Sequence, residues 1–147
     1  MNLHDFLHPV TADETREVVI SDRFVRHDEK GNTILEDGKP VPAPFKIKAL
    51  TEETVAALRK KHTRKEKNRQ GQWVDNFDSA RFVRALVVEA TLEPDFSAVE
   101  LCQAYGVVDP LDVPGKMLLA GEYTKLSDAI CELSRIYDDD AGDEAKN

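Results

Sequence analysis

Between Pro94 and Tyr123 the chain carries start, stop and restart signals for helices in unbroken succession: P-D-F-S-A-V-E-L-C-Q-A-Y-G-V-V-D-P, then K-M-L-L-A-G-E-Y. Ser97 and Glu100 have the S-x-x-E spacing of a capping box, in which each side chain satisfies a backbone N–H at the helix start. Phe96 is placed to pack on Leu101 as a hydrophobic staple. Gly106 stands where a left-handed helix stop is expected. These are architectural signals, not catalytic ones, and they point to a protein that works by shape and contact.

The first fifty residues have a different character. Leu3, Phe6 and Leu7 share one face of a short helix that must end before Pro9. Thr11–Arg16 reads as polar linker. E-V-V-I-S and R-F-V have the β-branched and aromatic content of strands, with turn signals at Asp28–Asn32 and Glu36–Lys39 and a short strand over Thr33–Leu35. Pro40, Pro42 and Pro44 exclude a central strand, because each lacks an N–H for the ladder. Phe45, Ile47 and Ala49 alternate with Lys46 and Lys48, the pattern of a strand with one wet face. Residues 1–50 therefore read as a short helix and a small antiparallel β unit.

From Thr51 the period becomes helical. Thr51 caps a helix whose first turn carries Glu52 and Glu53 at the positive end of the dipole, with Leu50 and Val55 as a staple. After His62 no apolar residue appears until Trp73, so residues 59–72 are expected to form a mobile basic loop. Asn76 or Asp75 caps the next helix, Phe77–Thr91. Phe82, Ala85 and Leu86, with Ala80, Val83, Val87 and Ala90, make it apolar around most of its circumference. A short turn between Pro110 and Pro114 precedes Met117, Leu118 and Leu119. Last comes Glu122–Tyr137, where Tyr123, Leu126, Ile130, Leu133 and Tyr137 form the clearest amphipathic stripe. Residues 51–137 thus read as a compact helical domain of four to five short helices, and the whole as α+β. Residues 138–147 read as a disordered acidic tail.

The chain is 147 residues long, about one domain, with 33% charged residues and a net charge of −8. That charge is uneven. Arg59–Arg69 holds seven bases against Glu66 alone, a local +6 that leaves −14 for the remainder. Asp138, Asp139, Asp140, Asp143 and Glu144 face only Lys146 in the tail, so an interaction arm and a solvating tail are suggested. No apolar run is long enough to cross a membrane, and the N-terminus lacks the basic leader and apolar stretch of a signal peptide, so the cytoplasm is the expected location.

No catalytic constellation is legible: G-x-S-x-G, Walker and H-E-x-x-H motifs are absent, and the seven glycines do not gather into a phosphate cradle. Cys102 and Cys131 lie in expected helices as small buried thiols. Neither they nor the four histidines have metal-ligand spacing, so no metal or cofactor is expected. The basic segment with Trp73 and Phe77 admits three readings: a solvated loop, a docking arm for a protein partner, or a nucleic-acid arm. The acidic remainder opposes the last of these. Trp73 and Phe77, four apart, also suit ordinary packing under a helix start, and the Tyr123–Tyr137 stripe suits a core. A core built from short helices nonetheless leaves apolar surface for a partner.

From Val18 to Tyr137 the chain resembles the XkdN-like tail assembly chaperones of tailed phages and prophages. The resemblance is carried in order by F-K-I-K-A-L-T-E-E (Phe45–Glu53), the basic run through K-N-R-Q-G-Q-W (Lys67–Trp73), E-P-D-F (Glu93–Phe96), E-L-C-Q-A-Y-G-V (Glu100–Val107) and M-L-L-A-G-E-Y (Met117–Tyr123). Thr33–Ala43 is longer than the turn usual in that family. The resemblance implies a non-enzymatic protein that binds the tape measure protein, often also the tail tube protein, and keeps them soluble until the tube polymerises. It implies absence from the finished virion. Many members also have a longer, frameshifted form, so such a form of this chain is a further implied partner. On this reading Lys60, Lys61, Arg64, Lys65, Lys67, Arg69, Trp73, Phe77, Tyr123 and Leu126 are the expected contact residues. The rival is a small regulatory nucleic-acid-binding protein using Arg59–Arg69.

Overall fold

The computed structural model describes residues 2–9 and 14–136. Helix α1 (His4–Leu7) precedes strand β1 (Thr15–Val18). The short strands β2 (Leu35–Glu36) and β3 (Lys39–Pro40) follow, then β4 (Phe45–Lys48) and helix α2 (Glu52–Lys61). Next come β5 (Thr63–Lys67), β6 (Trp73–Phe77), α3 (Ser79–Ala90), β7 (Thr91–Glu93) and α4 (Val99–Ala104). A 3-10 turn at Pro110–Asp112 leads into α5 (Val113–Met117) and α6 (Ala120–Leu133). The fold is α+β, as the sequence implies.

Alternation sets the central sheet. Phe45 and Ile47 on β4 are buried while Lys46 and Lys48 lean outward, and β4 pairs antiparallel with β1 on one side and β7 on the other. Because β7 comes from beyond residue 90, the sheet and its core cross the boundary expected at residue 50. Ile47, Val87, Ala90, Phe96, Leu126 and Ile130 belong to one continuous core cluster. Each large apolar side chain so buried contributes roughly 1.5–3 kcal/mol against the entropy of ordering the chain. Thr15 and Arg16, expected as linker, begin β1. The R-F-V segment makes only an isolated bridge, Val25 to Pro42. The D-G turn behaves as its residues dictate: Asp37 and Gly38 both adopt positive φ, 52° and 76°, joining β2 to β3.

Helix ends follow local chemistry with two departures. Thr51 caps α2 by accepting from the Thr54 N–H. Gly106 (φ 67°) closes α4 with a Schellman pair, Val107 N–H to Cys102 O and Gly106 N–H to Gln103 O. The Ser97–Glu100 capping box does not form. Asp95 Oδ1 takes the Ser97 N–H at 2.9 Å, so a turn occupies Asp95–Ala98 and α4 starts only at Val99, while Phe96 drops fully into the core. α6 stops at Leu133, short of the expected Tyr137. Arg135 takes φ 62° and the Ile136 N–H turns back to Cys131 O, the same stop built without glycine. Tyr137 and the acidic segment 138–147 lie outside the described residues.

The largest correction concerns residues 59–72. They are not a basic loop: β5 and β6 pair over five residues, from Thr63 opposite Phe77 to Lys67 opposite Trp73. A helix continuing past His62 would need apolar residues to bury. A hairpin needs only backbone partners and a turn. Asn68 supplies the turn, its Oδ1 accepting from the Gln70 and Gln72 N–H groups, with Gly71 at φ 78°.

Candidate functional site

The basic segment is held as a ribbon standing off the core. At its base the Asp78 N–H donates to His62 O and Thr63 Oγ1 donates to Arg59 O, so α2, the hairpin and α3 are joined directly. Asp78, rather than Asn76 or Asp75, caps α3 by accepting from the Arg81 N–H. Phe77 meets Phe82 at a ring separation of 5.2 Å, and the Arg59 guanidinium lies 5.3 Å from the centre of the Phe82 ring. Phe77 is therefore an anchor more than a free contact, although it remains partly exposed.

Cross-strand pairing decides what faces what. Lys67 with Trp73, Lys65 with Asp75, and Thr63 with Phe77 share one face; Glu66 with Val74 and Arg64 with Asn76 share the other. Lys67 Nζ sits 5.2 Å over the Trp73 ring, whose indole is 66% exposed. Such a cation–aromatic pair is an attractive platform for a partner's side chains. Lys60 and Lys61 lie on the last turn of α2, and Arg69 in the turn joining β5 to β6. Arg64, Lys65, Lys67, Arg69 and Trp73 therefore lie on the ribbon, Arg64 on the face opposite Lys65 and Lys67, while Lys60 and Lys61 end α2 at the ribbon's base.

Tyr123 belongs elsewhere. It lines an open groove of about 600 Å³ between α3, α5 and α6 with Ala80, Val83, Arg84, Leu118 and Ala120. Ala80 and Val83 are exposed here, so α3 is not covered around its circumference as its composition suggests. Burial pushes the Tyr123 hydroxyl pKa up. Leu126, by contrast, is 0% exposed in the core, and a partner cannot reach it without unfolding α6. Its place among the contact residues is corrected on that ground.

Ion pairs fasten α3 and α6 to their neighbours. Arg81 meets Asp109 at 2.7 Å and Arg84 meets Asp112 at 3.6 Å, tying α3 to the 3-10 turn. The Arg81 hydrogen bond, with a second from the Leu111 N–H, lowers the Asp109 pKa. On the far side Arg23 grips Glu122 at the start of α6 and also donates to Met117 O. Chiefly through that guanidinium, Glu122 is held down to about 2.

Sequence reasoning missed Asn68 and Gly71 as turn makers, Val74 on the ribbon, and Ala80, Val83 and Leu118 in the groove. The N-x-x-G spacing ahead of W-V was the available hairpin signal. Among the described residues no cluster of histidine, cysteine and carboxylate could hold a metal ion, and no helix is long and apolar enough to cross a membrane.

Comparison with known proteins is consistent across sequence and structure. Residues 3–146 match the family described as Phage XkdN-like tail assembly chaperone protein, TAC. The Phage-like element PBSX protein XkdN of Bacillus subtilis (strain 168) is 37% identical over 142 residues, covering 94% of this chain and 87% of that protein. The uncharacterized protein YqbN of the same strain matches with the same identity and coverage. A crystal structure of the protein yqbn superposes with a TM-score of 0.68 at 31% identity, covering 93% of this chain and 98% of that one.

Proposed function

This chain belongs to the XkdN-like phage tail assembly chaperones, and we propose that it binds the tape measure protein, and often the tail tube protein, keeping them soluble until the tube polymerises. The role is non-enzymatic and exercised in the host cytoplasm, with the chain absent from the finished virion. A frameshifted longer form of the chain takes part where the gene encodes one.

The observation that carries this reading is the β5–β6 ribbon, which presents Trp73 and Lys67 to solvent as a unit already folded before any partner arrives. Order held in advance lowers the entropic cost of docking. Its bases attract acidic groups on a helical tape measure segment, and Trp73 covers apolar side chains beside them. The groove lined by Val83, Leu118 and Tyr123 offers a second apolar contact. The acidic remainder keeps the complex dispersed through net repulsion between complexes.

The test is co-expression with the tape measure protein from the same tail gene cluster. Soluble tape measure protein is expected to rise with the chain present. It is expected to fall when Lys60, Lys61, Arg64 and Lys65 are all reversed to Glu in a variant whose circular dichroism is unchanged. Equal recovery with and without the chain sinks the reading. A salt-sensitive gel shift with duplex DNA, at unchanged tape measure solubility, would move the assignment to nucleic acid.

A further inference from the structure

Positive charge in this protein is densest between Arg59 and Arg69, and the ion pairs of the described residues lie elsewhere. Arg16, Arg23, Lys48, Arg81 and Arg84 each hold an ion pair. Among the described residues, none of the seven bases from Arg59 to Arg69 has a carboxylate at ion-pair distance. Arg59 and Lys67 lie over aromatic rings instead. So many unpaired like charges produce a field that gathers any acid within about 8 Å at physiological salt. The densest acidic block in the chain is Asp138–Glu144, with five carboxylates in seven residues. We propose that this block is the occupant of the basic surface formed by the last turn of α2 and the β5–β6 ribbon in the unpartnered protein.

Reach supports the pairing. Ser134, just past α6, accepts the Leu50 N–H at 2.9 Å, which places the end of α6 beside the start of α2. α2 has 10 residues, a length of about 15 Å at 1.5 Å per residue. Arg135, at φ 62°, turns the chain out of the helix. Counting about 3.3 Å per extended residue from Ser134, Asp138 can lie ~13 Å away and Asp143 ~30 Å away. Asp138–Asp140 therefore come within range of Lys60 and Lys61, and Asp143 and Glu144 within range of Arg64 and Lys65.

Tethering raises the effective concentration of the block to about the millimolar range, which favours the same chain over a second copy. Exposed ion pairs are individually weak and screened by salt, so the contact forms readily and yields readily. The contact does not depend on the proposed function.

Zero-length carbodiimide cross-linking of the full chain tests it, on an equal mixture of isotopically light and heavy protein read by mass spectrometry. Links from Asp138–Glu144 to Lys60, Lys61, Lys65 or Lys67 are expected, with both peptides carrying the same label. They are expected to fall about tenfold at roughly 0.5 M salt, where the Debye length shrinks to a few ångströms. The double variant Arg64→Glu, Arg69→Glu keeps all four lysines while weakening the field, and the links are expected to fall about threefold in it. Links spread evenly over Lys48, Lys116 and Lys125, or indifferent to the double variant, overturn the proposal. So do links mainly between light and heavy chains, which assign the surface to a second copy. No tape measure protein is present, so these outcomes stand apart from success or failure of the co-expression experiment.

Discussion

Arg23 and Glu122, ninety-nine positions apart, meet in a two-point ion pair with nitrogen–oxygen distances of 2.9 and 2.6 Å. Glu122 Oε1 also accepts the Leu119 N–H, and the same guanidinium reaches Met117 O. One pair therefore caps α6, holds the end of α5, and fastens the N-terminal segment to both.

Replacing Glu122 by Gln removes the charge while keeping the shape. The expected result at pH 7 is a thermal midpoint lowered by several degrees, with Arg23 left without its anion. The pH dependence follows from the sign of the shift. Glu122 is lowered from 4.5 to about 2 by the Arg23 hydrogen bond first. A carboxyl lowered by folding adds stability that is whole above its unfolded value and lost as pH falls toward its folded one. The gap between parent and variant in urea midpoint should therefore be full above about pH 5 and shrink from pH 4.5 toward 2. A gap unchanged at pH 3 contradicts the assignment.

Leu126→Ala separates core from contact. With its side chain sealed beneath α6, truncation leaves a cavity and is expected to cost about 2–5 kcal/mol. Denaturant unfolding measures this directly. Tyr123→Ala, at the half-buried rim of the groove, is expected to cost less stability while reducing tape measure recovery. Parity of the two in stability would mean that the groove is tighter than its geometry shows.

What the residues disclosed, and what they hid, follows from how each element is held. β4 was legible because Phe45 and Ile47 alternate with lysines, and α6 because Leu126, Ile130 and Leu133 share one face. Gly106 announced its stop because only left-handed backbone ends α4 there. The β5–β6 ribbon was hidden: T-R-K-E-K has no apolar alternation, and its order comes from partner strand and turn rather than from burial. The Ser97 box failed because Asp95, two residues earlier, took the same N–H. β7 was missed because its short T-L-E run gains strand character only by pairing with β4. Of the expected contact residues, Arg64, Lys65, Lys67, Arg69 and Trp73 lie on the ribbon, Lys60 and Lys61 end α2 at its base, Tyr123 lines a second surface, and Leu126 is core. No periodicity of one helix could sort those outcomes, since they depend on which neighbours cover it.

Gly71 tests whether the ribbon's turn is autonomous. Its φ of 78° suits glycine, and a Cβ there meets no neighbouring atom, so Gly71→Ala adds backbone strain without a clash. The expected cost is about 1–2 kcal/mol. Because the ribbon stands off the core, that cost should appear as local opening rather than global unfolding. Amide exchange over Thr63–Phe77 is expected to quicken while the exchange of Val87 and Ile130 holds. Acceleration in the core to the same degree would show that the ribbon and core unfold as one.

Trp73 is the single tryptophan of the chain and lies on the surface through which contact is proposed. With the indole mostly exposed and packed chiefly on Lys67, Trp73→Ala should alter stability by no more than about 0.5 kcal/mol. An aromatic buried at a docking face typically matters far more to binding than to folding: losing one costs on the order of 2 kcal/mol of affinity, some thirtyfold. The variant is therefore expected to match the parent in thermal unfolding yet retain much less tape measure protein on co-purification, with Trp73→Phe recovering part of the loss. Retention equal to the parent by the alanine variant would move the contact away from the ribbon and toward the Val83–Tyr123 groove, the second surface where apolar side chains stand beside an ordered charge, Arg84.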